Sequence, residues 1–259
     1  MRKQFLICLV LCFSCLWGVA NVGILNDSPK KDPKPTRPRR ETPYHSEFGK
    51  RVALGVLFGT GMDWLAPKVD SMHNAGVVMN VKYGVPVDVN FTTKNNYYFS
   101  LGVFVTHSGG KLKFSTFIED SLQTNATERK YRAIYLTIPT GIKLKTPSLN
   151  NFVIAANFGL YHSFRLSAHY SDKYISHDGT EVKSEKHTYN KGVALFRESA
   201  YIGLGLEYVV KNDFRVYFYV NYSQGILNFF SPNNSANLVN GSKDRALMNS
   251  VEFLIGITF

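Results

Sequence analysis

The chain has 259 residues, room for one β domain and an appendage. Hydrophobic residues make up 44% and mean hydropathy is -0.13. Beyond the N-terminal segment there is no run of about 18 apolar residues, which excludes a helical membrane protein. The formal net charge is +11, but the cations are spread along the chain with no basic patch or module, so no nucleic-acid partner is expected and the charge suits water or anionic lipid headgroups.

Residues 1–20 read as a signal peptide. Arg2 and Lys3 precede an apolar run from Phe5 to Trp17, and Gly18-Val19-Ala20 supplies the small residues for cleavage after Ala20. All three cysteines (Cys8, Cys12 and Cys15) lie inside this segment, so the mature protein is expected to carry no disulfide, thiol nucleophile or Cys-ligated metal. The residues before Cys15, Leu11-Cys12-Phe13-Ser14, fit a lipoprotein acceptor poorly, and ordinary cleavage is expected.

Residues 21–50 form a linker whose composition turns to Pro, Lys, Arg and Asp from Asn26 onward, as in Pro29-Lys30-Lys31-Asp32-Pro33-Lys34-Pro35. Such a segment has no core of its own and is expected to be an extended, disordered periplasmic arm.

From residue 51 to residue 259 the pattern is a period-two alternation repeated eight times. Strands are expected over Arg51–Thr60, Ala75–Phe91, Tyr97–His107, Lys130–Thr146, Phe152–His169, Arg197–Val210, Phe214–Phe230 and Asp244–Phe259. In the sixth, Ile202, Leu204, Leu206 and Tyr208 oppose Gly203, Gly205 and Glu207. In the last, Val251, Phe253, Ile255, Ile257 and Phe259 oppose Ser250, Glu252, Gly256 and Thr258. A soluble sandwich also alternates, but its strands run about 5–6 residues, whereas several here reach the ~9–11 needed to cross a bilayer. A sheet in lipid must close on itself, so the fold class is all-β, an eight-stranded antiparallel transmembrane β-barrel. The lipid-facing stripe ending at Phe259 has the form of a C-terminal assembly signal, which implies the barrel assembly machinery as a partner during biogenesis.

Short links at Thr92–Asn96, Pro147–Asn151 and Lys211–Asp213 alternate with long ones at Gly61–Asn74, Ser108–Arg129, Tyr170–Phe196 and Ser231–Lys243. Outer-membrane barrels have short periplasmic turns and long outer loops, so both barrel ends are expected in the periplasm.

Three ordered segments resemble PorT-family outer-membrane β-barrel proteins of Bacteroidota. They are Gly102-Val103-Phe104-Val105-Thr106-His107-Ser108-Gly109-Gly110-Lys111-Leu112; Tyr135-Leu136-Thr137-Ile138-Pro139 with Gly141-Ile142-Lys143; and Arg245-Ala246-Leu247 with Gly256-Ile257-Thr258-Phe259. The resemblance covers roughly Arg51 to Phe259. It implies an eight-stranded, porin-like or OmpA-like barrel and, through the branch that names the family, a link to type IX secretion and its components.

The interior of an eight-stranded barrel is just wide enough for side chains. Alternation points Lys82, Asp88, Lys143, Lys145, Glu207, Arg215 and Glu252 inward, where mixed charges need partners and are expected to plug the lumen. A narrow porin-like channel is the alternative. A lipid A-modifying enzyme is the second: His169-Tyr170-Ser171 places a base and a hydroxyl on one face, with Glu181 or Glu185 available to orient the His. The register, however, points His169 inward, away from lipid, and His107-Ser108 splits across two faces. His45, His73, His162, His177 and His187 are dispersed. A loop metal site of His177, Asp178, Glu181 and His187 lacks a specific spacing. No catalytic site, cofactor or metal is expected. Long outer loops carrying Tyr170, Lys173, Tyr174, Lys183 and Lys186 are the natural place for recognition, with outer-membrane lipids and lipopolysaccharide as contacts. The expected role is a non-enzymatic structural, binding or type IX secretion accessory component.

Overall fold

The structure is a computed structural model that describes residues 51–69, 72–92, 96–117, 124–175, 181–211, 214–232, 234 and 244–259. The signal peptide, the Ala20 cleavage point, the linker at 21–50, and His177 and Asp178 lie outside the described residues. Eleven strands follow in chain order: β1 (Val52–Pro67), β2 (Met72–Gly76), β3 (Val78–Asn90), β4 (Tyr97–Phe117), β5 (Thr124–Lys145), β6 (Phe152–Ile175), β7 (Glu181–Lys183), β8 (His187–Thr188), β9 (Phe196–Lys211), β10 (Phe214–Gly225) and β11 (Ala246–Thr258).

Eight of them close an antiparallel ring. β1 pairs with β3, then β4, β5, β6, β9, β10 and β11 follow as neighbours, and β11 pairs back to β1 from Gly55↔Thr258 to Pro67↔Ala246. Closure satisfies the backbone polar groups within the sheet, the condition for a sheet to cross hydrocarbon. β2 extends β3 along β4 after a register shift between Asn74 and Gly76, and Gly76 there has φ 126°, open to glycine and rarely to other residues. The turn between β5 and β6 uses Asn150 and Asn151 at φ 47° and 71°, a region that Asn tolerates better than most side chains.

The alternation in the sequence becomes two faces. Phe58, Val85, Val103, Phe158, Leu204, Phe218 and Ile255 are exposed on the outside, while Leu57, Phe104, Tyr161, Tyr219 and Leu254 are buried inside. An apolar exterior of this extent is rare on a soluble monomer and matches a lipid-facing band. Aromatic pairs flank it. Phe152–Tyr208 and Phe91–Tyr97 lie at the short-turn end, and Trp64–Tyr222 lies toward the other.

The strands are longer than the sequence suggests. β1 runs to Pro67 rather than Thr60, and β4 and β5 stay paired out to Phe117↔Thr124, so most of the loop expected over Ser108–Arg129 is strand. Alternation persists there with a changed outer face. Leu112 is buried inside while Lys113 is exposed outside, as expected where the sheet leaves lipid for water while its inner face still packs. Lys173 and Tyr174, expected in a loop, are on β6 for the same reason. β10 in turn stops at Gly225 rather than continuing to Phe230.

One difference reverses a side-chain direction. β6 carries a bulge opposite Ile134/Tyr135, where Ser167 and Arg165 are the paired residues and Leu166 is extra. Below it the buried residues are odd-numbered (Val153, Ala155, Asn157, Tyr161, Ser163), and above it they are even-numbered (Ala168, Asp172). A single extra residue swaps the faces of everything after it. His169 therefore points outward, not into the lumen.

Candidate functional site: a filled lumen and an outward-facing strand extension

Toward the short-turn end, the lumen is cross-linked by charge. Lys143 Nζ lies 2.6 Å from Asp88, which also accepts a 2.7 Å bond from the Ser100 hydroxyl. Lys145 Nζ is 2.8 Å and Arg215 Nη1 3.3 Å from the same Glu207 oxygen, while the Tyr219 hydroxyl donates to the other at 2.6 Å. Higher up, Lys82 Nζ is 2.6 Å from both oxygens of Glu252, whose Oε2 accepts a 3.3 Å bond from Tyr161; Asn221 donates to that tyrosine at 3.1 Å. All seven charged residues assigned to the lumen by alternation are thus inside it and in ion pairs. Each pair joins adjacent strands or strands one apart in the ring, so register rather than order along the chain sets the pairing.

Small residues make room for these rings. A Cβ at Gly256 would collide with the Tyr217 ring, and one at Gly205 with the Tyr219 ring. Inward side chains that sequence reasoning missed (Asp63, Asn80, Ser100, Tyr161 and Arg197) share the parity of buried neighbours, which is the available signal. Asp63 falls in a segment that reads as a loop. It accepts from Asn80 Nδ2 and, at 3.2 Å, from the Gly109 amide.

Above the charged layer the interior becomes apolar. Leu65, Leu112, Phe114, Tyr131, Tyr135 and Met248 form one buried cluster with Phe229 and Phe230, which fold in from the connection after β10. Phe230 is bridged to Val193, and the Phe229 amide bonds the Ala246 carbonyl at 2.9 Å. The outer mouth is therefore stoppered by its own connecting segments. Arg129 and Asp172 form a two-pronged pair at 2.6 and 2.7 Å within it, and the carboxylate raises the guanidinium's already high proton affinity. Burial raises the Tyr131 hydroxyl well above its ordinary value and pushes Tyr189 up to about 12.

Two features lie on the outside. His162, treated as dispersed, sits across from Glu198 with Nδ1 3.0 Å from its carboxylate, while Nε2 lies 2.9 Å from the Thr140 hydroxyl. The three residues come from β9, β6 and β5 and form a hydroxyl–imidazole–carboxylate chain on the outer surface. No sequence spacing joins positions 140, 162 and 198; only the register Ile138↔His162↔Glu198 does. The second feature is the outer face of the β4–β5–β6 extension, where Lys111, Lys113, Lys130, Arg132, His169 and Lys173 share one side. There His169 lines a groove with His107, Arg132 and Lys186. His169 and Ser171 do share a face. Glu181 reaches Lys173 instead, and His187 faces Ser184 Oγ at 2.8 Å and Tyr170. Among the described residues no group of His, Cys, Asp and Glu could hold a metal.

The C-terminal stripe is continuous with this exterior. Phe253, Ile255 and Phe259 are exposed, Val251 and Ile257 are half-buried beside them, and Ile255 lies between Phe58 and Phe218.

An eight-stranded antiparallel ring with an apolar exterior and a filled polar interior defines an outer-membrane β-barrel. Residues 35–231 match the family described as Outer membrane protein beta-barrel domain, and the chain belongs to that family. No curated protein matches the chain. Among solved structures it is similar to OprG of Pseudomonas aeruginosa, with 10% identity over 80% of this chain and 93% of that one and a TM-score of 0.40. It is likewise similar to Ail, the attachment invasion locus protein of Yersinia pestis, with 11% identity over 81% and 100% and a TM-score of 0.30. The barrel domain of OprF from Pseudomonas aeruginosa gives 9% identity over 81% and 98%, with a TM-score of 0.34.

Proposed function

We propose that the chain is a non-conducting membrane anchor that presents its extracellular sheet for binding at the cell surface. The observation that carries this reading is the double filling of the lumen, by ion pairs below and by an apolar stopper above. A solute path would have to break buried charge pairs, each costing about 3–5 kcal/mol when one partner is lost, and also expel Phe229 and Phe230. What protrudes is the β4–β5–β6 sheet flanked by β2, β7 and β8, and outer segments held up by a scaffold are where recognition concentrates. Purified protein in planar bilayers is expected to be electrically silent. Stable, reproducible conductance steps from the unmodified chain sink the reading and favour a narrow channel.

The resemblance to PorT-family barrels supports a finer role as a type IX secretion accessory component. Deletion of the gene in a type IX-competent host is expected to reduce export of type IX cargo; an unchanged secretome removes that role.

A second reading, lipid-ester chemistry, is favoured by the Thr140–His162–Glu198 chain alone. Thr140 Oγ would attack an acyl carbonyl as its proton passes to His162 Nε2. The released alcohol would take that proton, and water would free the acyl group from Thr140. The nucleophile–base and base–orienter contacts are both in place. The oxyanion donor is the weak point, because the adjacent strands' backbone amides are engaged in the β5–β6–β9 ladder. Fatty-acid release from lipopolysaccharide that disappears in both Thr140→Ala and His162→Ala carries this reading; no release by the unmodified protein ends it.

A further inference from the structure

We propose that the outward face of the β4–β5–β6 extension is a docking site for the phosphate groups of lipopolysaccharide in the outer leaflet. The proposal rests on the anchor-and-binding reading and supplies its ligand chemistry.

The first observation is a register that opposes like charges. Lys111 lies directly across from Lys130, and Lys173 directly across from Lys183. Directly opposed like charges destabilise a sheet, so two such pairs on one face point to an anion that bridges them. The acidic side chains nearby do not complete the pairing. Glu128 takes Lys111 at 3.5 Å and Glu181 takes Lys173, while Lys130 and Lys183 have no carboxylate within ion-pair distance among the described residues. Partial burial, together with Arg132 and Lys111 beside it, lowers the proton affinity of Lys130, as it should in a cluster of uncompensated cations.

The second observation is shape. The four lysines line a groove of about 460 Å³ together with Ser171, Ser184 and two carboxylates, Glu128 beside Lys111 and Asp172, which is held by Arg129. Ammonium groups converging with a hydroxyl suit a phosphate, whose oxygens accept from both.

Height along the barrel selects the source. On β5 the outward residues climb from Leu136 and Ile134 to Arg132 and Lys130. Each two-residue step advances about 6.6 Å along the strand, or about 5 Å in height at the tilt usual for such barrels. The Lys130 backbone therefore lies about 10 Å above the last apolar position, just past a headgroup layer of about 5–7 Å, and its long side chain can reach back down to that layer. The face looks sideways across the bilayer surface, toward neighbouring lipids.

The test uses the folded chain in detergent micelles with diphosphoryl lipid A, chemically dephosphorylated lipid A and heparin as separate probes. Diphosphoryl lipid A is expected to bind saturably and to shield Lys130 and Lys183 from an amine-acylating reagent. In Lys130→Gln/Lys183→Gln, binding should weaken about tenfold or more, as expected for loss of two cations near an anionic surface. The charge-matched control Lys68→Gln/Lys191→Gln should bind as the unmodified chain does, and heat-modifiable migration on gels reports that each variant is folded. Equal binding of the dephosphorylated lipid overturns the proposal, as does equal loss in the control. Preference for heparin over diphosphoryl lipid A assigns the face to a soluble polyanion and overturns it too. Silence or conductance in bilayers bears on the lumen and leaves this outcome unchanged.

Discussion

Lys82 Nζ lies 2.6 Å from both carboxylate oxygens of Glu252, 170 positions away in the chain, and 3.9 Å above the Tyr161 ring. The pair arches over β1, whose Gly59 pairs with Lys82 and whose Gly61 pairs with Glu252, so it straddles the seam where β11 returns to β1. Lys82 and Glu252 are both almost fully buried, so neither has water to fall back on.

Removing one partner of that pair should therefore cost more than removing both. Glu252→Gln leaves a buried ammonium without its counter-charge and is expected to destabilise the barrel by about 3–5 kcal/mol. The double variant Lys82→Met/Glu252→Gln should recover most of that loss. Urea unfolding of the barrel in lipid vesicles, followed by tryptophan emission, measures both; equal losses in the single and double variants would contradict the coupling.

The bulge at Leu166 predicts opposite accessibilities for adjacent residues. Residues 51–259 contain no cysteine, so a single introduced thiol can be read without background. In intact cells, a membrane-impermeant maleimide is expected to label His169→Cys and to spare Ala168→Cys, which is fully buried in the mouth. The opposite pattern would restore the register in which His169 faces the lumen.

Alkali should loosen the outer stopper before the membrane-spanning part. Tyr189 has its hydroxyl pushed up to about 12 by burial, against an ordinary value of 10. Its folded form holds the proton more tightly than the unfolded form does. Its contribution is thus complete below pH 10 and declines as the pH rises through about 12. Proteolysis of the segment around Phe229 and Phe230 is expected to begin in that window and to begin at higher pH in Tyr189→Phe, which has no proton to lose. Identical onset in the two proteins counts against the stopper being held by Tyr189.

Glycine at position 256 is required by its neighbour rather than by its own backbone. Gly256→Ala places a methyl against the Tyr217 hydroxyl and Cζ and against the Val56 carbonyl, and should cost about 1–3 kcal/mol by overpacking. Tyr217→Phe removes the hydroxyl but leaves Cζ and should rescue little; Tyr217→Leu should rescue more, though only in part, because the Val56 carbonyl stays. Refolding yield and urea midpoint give the comparison.

Much of the barrel could be read from the chain because period-two alternation is a local property. Lys143, Lys145 and Glu207 could be placed inside from their nearest neighbours alone. His169 could not, because the extra residue at Leu166 lies between it and the alternation used to orient it, and a bulge leaves no compositional mark there. The extension of β4 and β5 was hidden for a related reason. Once the outer face meets water instead of lipid, its lysines make a paired strand look like a loop.

By itself the sequence determined an all-β, lipid-facing barrel of eight strands with charged residues turned inward, since each strand states its two faces through residues two apart. Only the tertiary structure decided which charges meet, because the partner of Lys82 depends on β11 pairing back to β1 in the register that sets Glu252 two residues along from Lys82. The pairing of β5, β6 and β9 likewise brought Thr140, His162 and Glu198 into one chain, and that of β4 with β5 set Lys111 against Lys130. Those contacts are set by register between strands, and no residue carries register alone.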